Sequence, residues 1–262
     1  PAISIRDWPT LVVRGAHIDL HNLTLSQDAL EERLALLAGY KLNTVLISYA
    51  DKFRFRSHPS ANHRGALTRT EVRRLHRLAG ELGIDLIPVI QCLGHSANVL
   101  RNAKYEHLRE REDVLTQFCP ANPQTLALVK DLLDEVMDAH SSRFIHIGAD
   151  ETYFLGACPR CRCVADRKGK IGLYIDYVSK VCDHVRSRGR TPLLWDDMLC
   201  TSPSIARRLA RKADLCYWDY FPVDAKNPFV FFRNHGWFCN KSHWKDRPWW
   251  GGDFVDNPRC RD

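Results

Sequence analysis

Two hydrophobic patterns alternate along the chain. Short apolar runs, typical of buried strands, are separated by longer segments whose apolar residues recur every three or four positions, as on one face of a helix. Strands are predicted at 11–20, 43–50, 84–90, 143–150, 191–199 and 213–220, and a seventh at 236–242. Helices are predicted between them at 26–40, 67–83, 122–140, 171–189 and 202–213. Strict alternation of strand and helix predicts a parallel sheet covered by helices.

Capping signals mark the starts of three of these helices. Ser26 precedes the first as an N-cap, and Thr68 with Glu71 has the spacing of a capping box before the second. Asn122 followed by Pro123 predicts the start of the third, because proline suits the first helical position. These signals agree with the hydrophobic period at each site.

Open doubly wound sheets and closed eight-stranded barrels share this alternation. A nucleotide-binding open sheet would carry a glycine-rich turn after its first strand, and "HIDLHNLTLS" has none. The 262 residues suit a barrel domain, which typically has about 250. We therefore predict an α/β protein with one (β/α)8 TIM barrel domain over 1–262, incomplete at its C-terminal end. Only seven strands are visible, so the chain is expected to be a fragment, a truncated product or a barrel that a partner chain completes.

Composition and charge exclude some classes of protein. No apolar run approaches the ~20 residues that a membrane span needs. The net charge is +7, but the basic residues lie in helical segments without interleaved aromatic residues, so no nucleic-acid partner is predicted. The beginning, "PAISIRDWPT", lacks the pattern of a signal peptide, although a leader could have been removed.

Ten cysteines are present, most of them within apolar segments where a free thiol behaves as a small hydrophobic group. This usage predicts a reducing, cytoplasmic compartment, with the nucleus as a second expected location. "CPRCRC" (Cys158, Cys161 and Cys163) is half of a zinc-ligand pattern. Because no second Cys-x-x-Cys exists, a loop of reduced thiols is expected there, with no metal and no cofactor. A zinc-stabilised interaction module remains a minor alternative.

Polar and aromatic residues recur where the predicted strands end. Asp150 and Glu151 follow the fourth strand, and the alternation in "FIHIGAD" predicts that His146, Gly148 and Asp150 point into the barrel. Other strand ends carry His17 and Asp19, Asp51, His95, Trp195-Asp196-Asp197 and Trp218. Carboxylates and tryptophans around one rim are typical of a sugar pocket. The structural alternative is that Glu151 caps the next segment while Asp150 pairs with a basic neighbour.

"FIHIGADE" resembles the His-x-Gly-Gly/Ala-Asp-Glu signature of family 20 glycoside hydrolases, the β-N-acetylhexosaminidases. "RGAHIDL", "LGHS" and "LLWDDML" are similar to that family's first strand, histidine loop and fifth strand. "QCLGH", "HIGADETYFLG" and "YWDY" look most like the hexosaminidase D branch, whose members are intracellular. The resemblance covers about residues 11–220.

The resemblance implies a retaining exo-glycosidase that releases terminal β-linked N-acetylglucosamine or N-acetylgalactosamine from glycoconjugates. In such a substrate-assisted mechanism the acetamido oxygen of the substrate attacks the anomeric carbon. Asp150 would orient the acetamide, and Glu151 would act as acid and then base, kept protonated by repulsion from Asp150. Substrate-binding roles are implied for Arg14, which would grip ring hydroxyls, and for His95, Asp51, Trp195, Trp218 and Asp196.

Three questions stay open at this point. A truncated or non-catalytic relative would bind amino sugars without hydrolysing them, and the missing last strand favours that alternative. The partner expected in either case is a glycan with a terminal N-acetylhexosamine, and a homo-oligomer is left open as well. The sequence does not separate gluco from galacto substrates.

Overall fold

The computed structural model describes residues 3–199 and 203–218, together with the backbone of Phe229–Phe232 and Gly236–Cys239. Six parallel strands form one sheet in the order β1 to β6. They are β1 Gly15–Asp19, β2 Thr44–Ser48, β3 Asp85–Val89, β4 Phe144–His146, β5 Thr191–Trp195 and β6 Asp214–Cys216. Each strand therefore pairs with the strand that follows it in the chain, which is the strand order of a barrel. A doubly wound sheet would instead reverse its strand order at a switch point.

Helices connect the successive strands. They are α1 Gln27–Gly39, α2 Arg69–Glu81, α3 Ala97–Leu100, α4 Pro123–Met137, α5 Pro159–Ser187 and α6 Pro203–Leu209. Short 3₁₀ turns cover Pro59–Ala61, Ala103–Leu108 and Asp197–Leu199.

The three predicted helix starts are confirmed. The Ser26 side chain accepts a hydrogen bond from the N–H of Ala29. Thr68 and Glu71 form both halves of the capping box before α2. Asn122 caps α4, whose first residue is Pro123.

The helix α5 begins earlier than the sequence predicts. "CPRCRC" is not the expected loop, because Cys158 is the N-cap and the next residues form the first turn of α5. The chain leaves helical geometry at Gly169, where φ is +73°, so α5 has two parts. The apolar period that predicts a helix begins at residue 171, after this break. The period therefore marks only the second part of this helix.

The core lies between the sheet and its helices. Val45, Ile47, Leu86, Ile145 and Leu194 on the strands have no more than 1% of their surface exposed. They pack against the apolar faces of the surrounding helices, among which α4 and α5 contribute the largest buried sets. This packing fixes the strand ends relative to one another, and with them the residues of the rim.

The predicted seventh parallel strand is corrected. Gly236–Cys239 is a strand, but it pairs antiparallel with Phe229–Phe232 in a separate two-stranded sheet. The alternation of "GWFCNKS" cannot distinguish these arrangements, because both have the same side-chain period. Within the described ranges the parallel sheet therefore has six strands, part of a barrel. No helix in the described part of the chain combines the length and the hydrophobicity of a membrane span.

Candidate active site

An open cavity of about 670 Å³ lies at the carboxyl ends of the strands. This size falls within the range of about 300–1,000 Å³ that is usual for small-molecule sites. The rim residues come from the ends of all six strands and the loops after them. They are His17, Asp19, His21, Asn22, Ser48, Asp51, Gln91, His95, Ala97, Asn98, Arg101, Thr116, Asp150, Glu151, Trp195 and Trp218.

The backbone after β4 departs from the extended conformation. Gly148, Ala149 and Glu151 have φ of +66°, +71° and +50°. Strand alternation therefore ends at His146, and the predicted inward set of His146, Gly148 and Asp150 does not arise by alternation. Left-handed backbone at non-glycine residues is costly and clusters at functional sites. Here it turns both carboxylates toward the cavity at the end of a very short strand.

Buried tyrosines of α5 hold this strained segment from behind. The Tyr174 hydroxyl donates to the carbonyl of Ala149 at 2.9 Å, and the Tyr177 hydroxyl donates to that of Cys92 at 2.7 Å. Both hydroxyl groups are buried, so each bond satisfies a donor that would otherwise be costly to leave unpaired. The outer helix thus fixes the backbone beside the acid pair and beside the histidine loop.

The histidine loop approaches the acid pair so closely that it needs glycine. A Cβ on Gly94 would lie 2.3 Å from the Asp150 carbonyl oxygen. We expect Gly94→Ala to displace that backbone, lowering stability by about 1–3 kcal/mol, as overpacking does, and reducing turnover. Urea unfolding and steady-state kinetics check both effects.

Gly80→Ala is the matched control for this change. Gly80 lies in α2 and a Cβ there would meet nothing within 4 Å. Alanine should stabilise the helix by about 0.5–1 kcal/mol and leave turnover unchanged. Equal effects of the two substitutions would contradict the close approach at Gly94.

His95 bridges the two carboxylates. Its Nε2 lies 3.3 Å from Oδ2 of Asp150 and 3.0 Å from Oε2 of Glu151. The backbone of His95 is strained as well, because its φ is +50°. A protonated imidazole in this position offsets the repulsion between the adjacent acids, so their placement at a strand end is electrostatically supported.

The protonation of this cluster differs from the sequence prediction. Hydrogen bonds with Asp150 and Glu151 raise the pKa of His95 to about 10. Burial raises the pKa of Glu151, but hydrogen bonds from His95 and Tyr153 lower it by more, and the net shift is downward. This downward shift of the Glu151 pKa does not support the predicted protonation by repulsion from Asp150. The cluster instead holds its proton on His95.

Asp197 holds the backbone of the acid pair. Its Oδ2 accepts the backbone N–H of Glu151 at 2.9 Å. Burial, followed by the charge of Asp150, raises the pKa of Asp197 to about 7. Asp197 was expected at a strand end, but no role in the site was predicted for it. Its role depends on its contact with Glu151, which lies 46 residues earlier in the chain.

The aromatic residues form one wall of the cavity. The Trp195 ring packs on His146 with centroids 4.2 Å apart, and Trp218 also lines the cavity. Burial lowers the pKa of His146 to about 3, so this ring is a neutral packing partner. Asp51, another lining residue, forms an ion pair with the buried Lys52 ammonium.

The structural alternative for the acid pair is partly wrong. Glu151 does not cap the next helix, because the N-cap of α5 is Cys158. Asp150 does have a basic neighbour, but that neighbour is His95, which Asp150 shares with Glu151. The pair therefore forms a shared cluster at the cavity.

Two predicted binding residues do not line the cavity. Arg14 precedes β1, at the end of the barrel opposite the cavity, and its guanidinium donates to the carbonyls of Lys41 and Leu11. The five residues of β1 separate it from the rim by about 16 Å at the usual rise per residue. Asp196 is outside the lining set as well, and its backbone N–H donates to Cys216. These placements do not support the roles predicted for Arg14 and Asp196.

Other rim residues were missed by the sequence prediction. Gln91, Asn98, Arg101 and Thr116 line the cavity from β3 and the loops that follow it. Arg101 places a cationic side chain at the cavity, which Arg14 does not line. Its position at the end of the short helix α3, just beyond the histidine loop, is the only signal in the sequence.

The family comparison agrees with this geometry. Residues 12–225 match the model of the glycosyl hydrolase family 20 catalytic domain. The chain belongs to this family. Family 20 catalytic domains are TIM barrels, and the consecutive parallel order of β1 to β6 fits that fold.

Curated relatives of this family 20 chain include hexosaminidase D from Bos taurus, 31% identical over 219 residues, with 79% of this chain and 63% of the relative covered. Hexosaminidase D from Homo sapiens is 30% identical over 218 residues, with 79% and 45% covered. The chain thus spans 63% and 45% of the length of these two relatives.

Solved structures share the fold at low identity. The exo-β-N-acetylglucosaminidase from Vibrio harveyi, solved with N-acetylglucosamine, has a TM-score of 0.68 at 20% identity, covering 81% of this chain and 39% of that one. The Flavobacterium johnsoniae chitobiase has a TM-score of 0.69 at 18% identity, covering 97% and 43%.

Proposed function

We propose that this family 20 chain is a retaining exo-glycosidase that hydrolyses terminal β-linked N-acetylglucosamine or N-acetylgalactosamine from glycoconjugates. The Asp150–His95–Glu151 cluster at the open cavity carries this proposal, because it places an orienting carboxylate and a proton donor side by side. The curated relatives named hexosaminidase D support the same substrate class.

In the first step the acetamido carbonyl oxygen of the substrate attacks the anomeric carbon and forms an oxazolinium ion. Asp150 accepts a hydrogen bond from the acetamide N–H, which aligns the nucleophile and offsets the positive charge that develops. Glu151 protonates the departing glycosidic oxygen. The proton moves to Glu151 from His95 over the 3.0 Å between Nε2 and Oε2.

In the second step Glu151, now ionised, removes a proton from a water molecule that attacks the anomeric carbon. The oxazolinium ring opens, the acetamide is restored, and the configuration is retained because both attacks invert it. This route differs from that of ordinary retaining glycosidases, since no carboxylate of the enzyme forms a covalent bond with the sugar. Trp195 and Trp218 would offer apolar surface to the sugar within the cavity.

The protonation of the cluster predicts a pH profile. His95 has its pKa raised to about 10 by the two carboxylates, so the catalytic proton is lost only as the pH rises through that range. In His95→Asn the proton must reside on a carboxyl group, whose pKa is lower. We therefore expect the alkaline limb of kcat/KM to move to lower pH, together with a fall in kcat.

Measurement of kcat/KM between mildly acidic and strongly alkaline pH checks this prediction. His63→Asn is the control, because His63 does not line the cavity. An alkaline limb that stays in place in His95→Asn would show that the catalytic proton does not come from this cluster.

Hydrolysis of 4-nitrophenyl N-acetyl-β-D-glucosaminide and of its galacto epimer tests the proposal. The expected result is release of nitrophenol from one or both. The competing candidate is a non-catalytic relative that binds amino sugars, and the similarity to curated hexosaminidases does not favour it. A folded chain that binds N-acetylglucosamine in calorimetry but releases no nitrophenol would support that candidate instead.

A reducing compartment is part of the proposal. The seven described cysteines, which include Cys92, Cys119 and Cys182, are free thiols. Intracellular proteins usually keep their cysteines reduced. We propose a cytoplasmic location on this ground, and fractionation of cells that express the tagged chain would test it.

A further inference from the structure

A second cluster of reactive side chains lies away from the cavity, at the start of α5. It consists of Glu110, Cys119, Cys158 and Cys161, whose ligand atoms all lie within 4.8 Å of one another. The Cys119 Sγ is 3.5 Å from the Sγ of Cys158 and 3.5 Å from that of Cys161. Cys163, the third cysteine of "CPRCRC", is exposed and outside the cluster.

We propose that this cluster is a structural zinc site with three cysteine ligands and one glutamate ligand. Tetrahedral zinc with sulfur at about 2.3 Å sets sulfur pairs about 3.8 Å apart, close to the observed separations. Three thiolates and one carboxylate are donors that zinc accepts. The two ligands absent from "CPRCRC" come from a segment about 40 residues earlier, as shown by the separation of 39 between Cys119 and Cys158.

Glu110 gives an independent indication of a cation. Its side chain is fully buried, and its Oε1 accepts the backbone N–H of Cys158 at 3.0 Å. Its Oε2 is buried without a hydrogen-bond partner among the described residues. A buried carboxylate oxygen left in this state is costly unless a partner or a metal compensates for it. A zinc ion bound to the three sulfur atoms would supply that partner.

The local backbone also positions the sulfur of Cys158. Cys158 is the N-cap of α5, and its Sγ accepts the N–H of Cys161 at 3.3 Å. This bond fixes the Cys158 sulfur at the start of the helix, 3.5 Å from the Cys119 sulfur. Binding would release the thiol protons to solvent, leaving three Zn–S bonds and one Zn–O bond with no change in oxidation state. An open depression lined by Glu110, Cys158 and Pro159 gives a path for the ion.

The site would clamp two loops that shape the catalytic cavity. Glu110 and Cys119 flank the loop that carries Thr116, a cavity-lining residue. Cys158 and Cys161 follow the acid pair, and the two loops already meet where the N–H of Phe154 donates to Gln117 at 2.9 Å. A zinc ion would therefore act through stability and loop position, and it would take no part in hydrolysis.

Metal analysis of the whole chain, purified without chelator, tests the proposal. We expect about one zinc per chain in the parent and in Cys163→Ser, and loss of zinc in Cys119→Ser. Cys163→Ser is the matched control, because it removes an exposed thiol two residues beyond Cys161. Zinc that is lost equally from both variants would contradict the assigned ligands.

A second measurement avoids dependence on variants that could fail to fold. Cobalt added to the chelator-stripped parent chain should give the thiolate-to-cobalt charge-transfer absorption of a tetrahedral sulfur site, and zinc should remove it. A chelator should also lower the Tm of the parent. Absence of zinc with no cobalt signal, or a Cys119 disulfide found by mass spectrometry in the freshly purified chain, would overturn the proposal. None of these readouts depends on hydrolysis, so the zinc site and the proposed activity can fail separately.

Discussion

Replacing Glu151 with glutamine is expected to lower kcat/KM by about 10²–10⁴-fold, the usual contribution of a general acid and base. Glutamine keeps the size of the side chain but cannot transfer the proton that reaches Glu151 from His95. The loss should be larger for a disaccharide than for the nitrophenyl glycoside, because nitrophenolate departs without protonation whereas a sugar alkoxide does not. Initial rates with both substrates measure this difference.

Glu112→Gln is the matched control for this experiment. Glu112 is exposed and lies outside the cavity lining, so its substitution removes one carboxylate without touching the cluster. Its kcat/KM should equal that of the parent chain. An equal loss for both leaving groups in Glu151→Gln would show that Glu151 does not protonate the leaving oxygen.

Replacing Asp150 with asparagine should have the second largest effect, about a 10²–10³-fold loss of kcat, as expected when one preorganised electrostatic group is removed. Asparagine retains an acceptor oxygen, so the acetamide can still be oriented in part, but the charge that offsets the oxazolinium ion is lost. Because Asp150 acts on the acetamide and not on the leaving group, the loss should be similar for the disaccharide and the nitrophenyl glycoside.

Comparison of the two substitutions separates the two roles. Only Glu151→Gln should discriminate between leaving groups, although both residues contact the same His95 nitrogen. The double variant should lose less than the product of the single losses, because residues of one cluster act as a unit. If Asp150→Asn showed the leaving-group dependence of Glu151→Gln, the assignment of roles would be reversed.

The fold could be predicted largely from local patterns. Strand and helix periods are properties of neighbouring residues, and the capping box of Thr68 and Glu71 lies within a single turn. The consecutive strand order then decided between a barrel and a doubly wound sheet. The antiparallel pairing of Gly236–Cys239 was not predictable in this way, because the side-chain period of one strand does not specify which strand it pairs with.

The candidate site was predictable where function follows strand position. His95, Asp51, Trp195 and Trp218 were expected at strand ends, and the structure brings all four to one cavity with the acid pair. Arg14 does not line the cavity, because it precedes β1, whereas the lining residues lie near the carboxyl ends of the strands or after them.

Features that depend on distant contacts were beyond the sequence prediction. The left-handed backbone at Ala149 and Glu151 is imposed by packing, and the role of Asp197 follows from its bond to a loop. The meeting of Glu110 and Cys119 with "CPRCRC" likewise needs the folded barrel. A search for paired cysteine motifs could not have found it.

The dependence of kcat/KM on fluorination of the substrate acetamide shows whether the acetamido oxygen is the nucleophile. In a series of 4-nitrophenyl N-acyl-β-D-glucosaminides with zero to three fluorine atoms on the acetyl group, each fluorine weakens the carbonyl oxygen as a nucleophile. We expect a steep, progressive fall in kcat/KM along the series, because the acetamido oxygen is the proposed nucleophile. A flat dependence, or no hydrolysis of the unsubstituted glucosaminide and its galacto epimer by the folded chain, would contradict it.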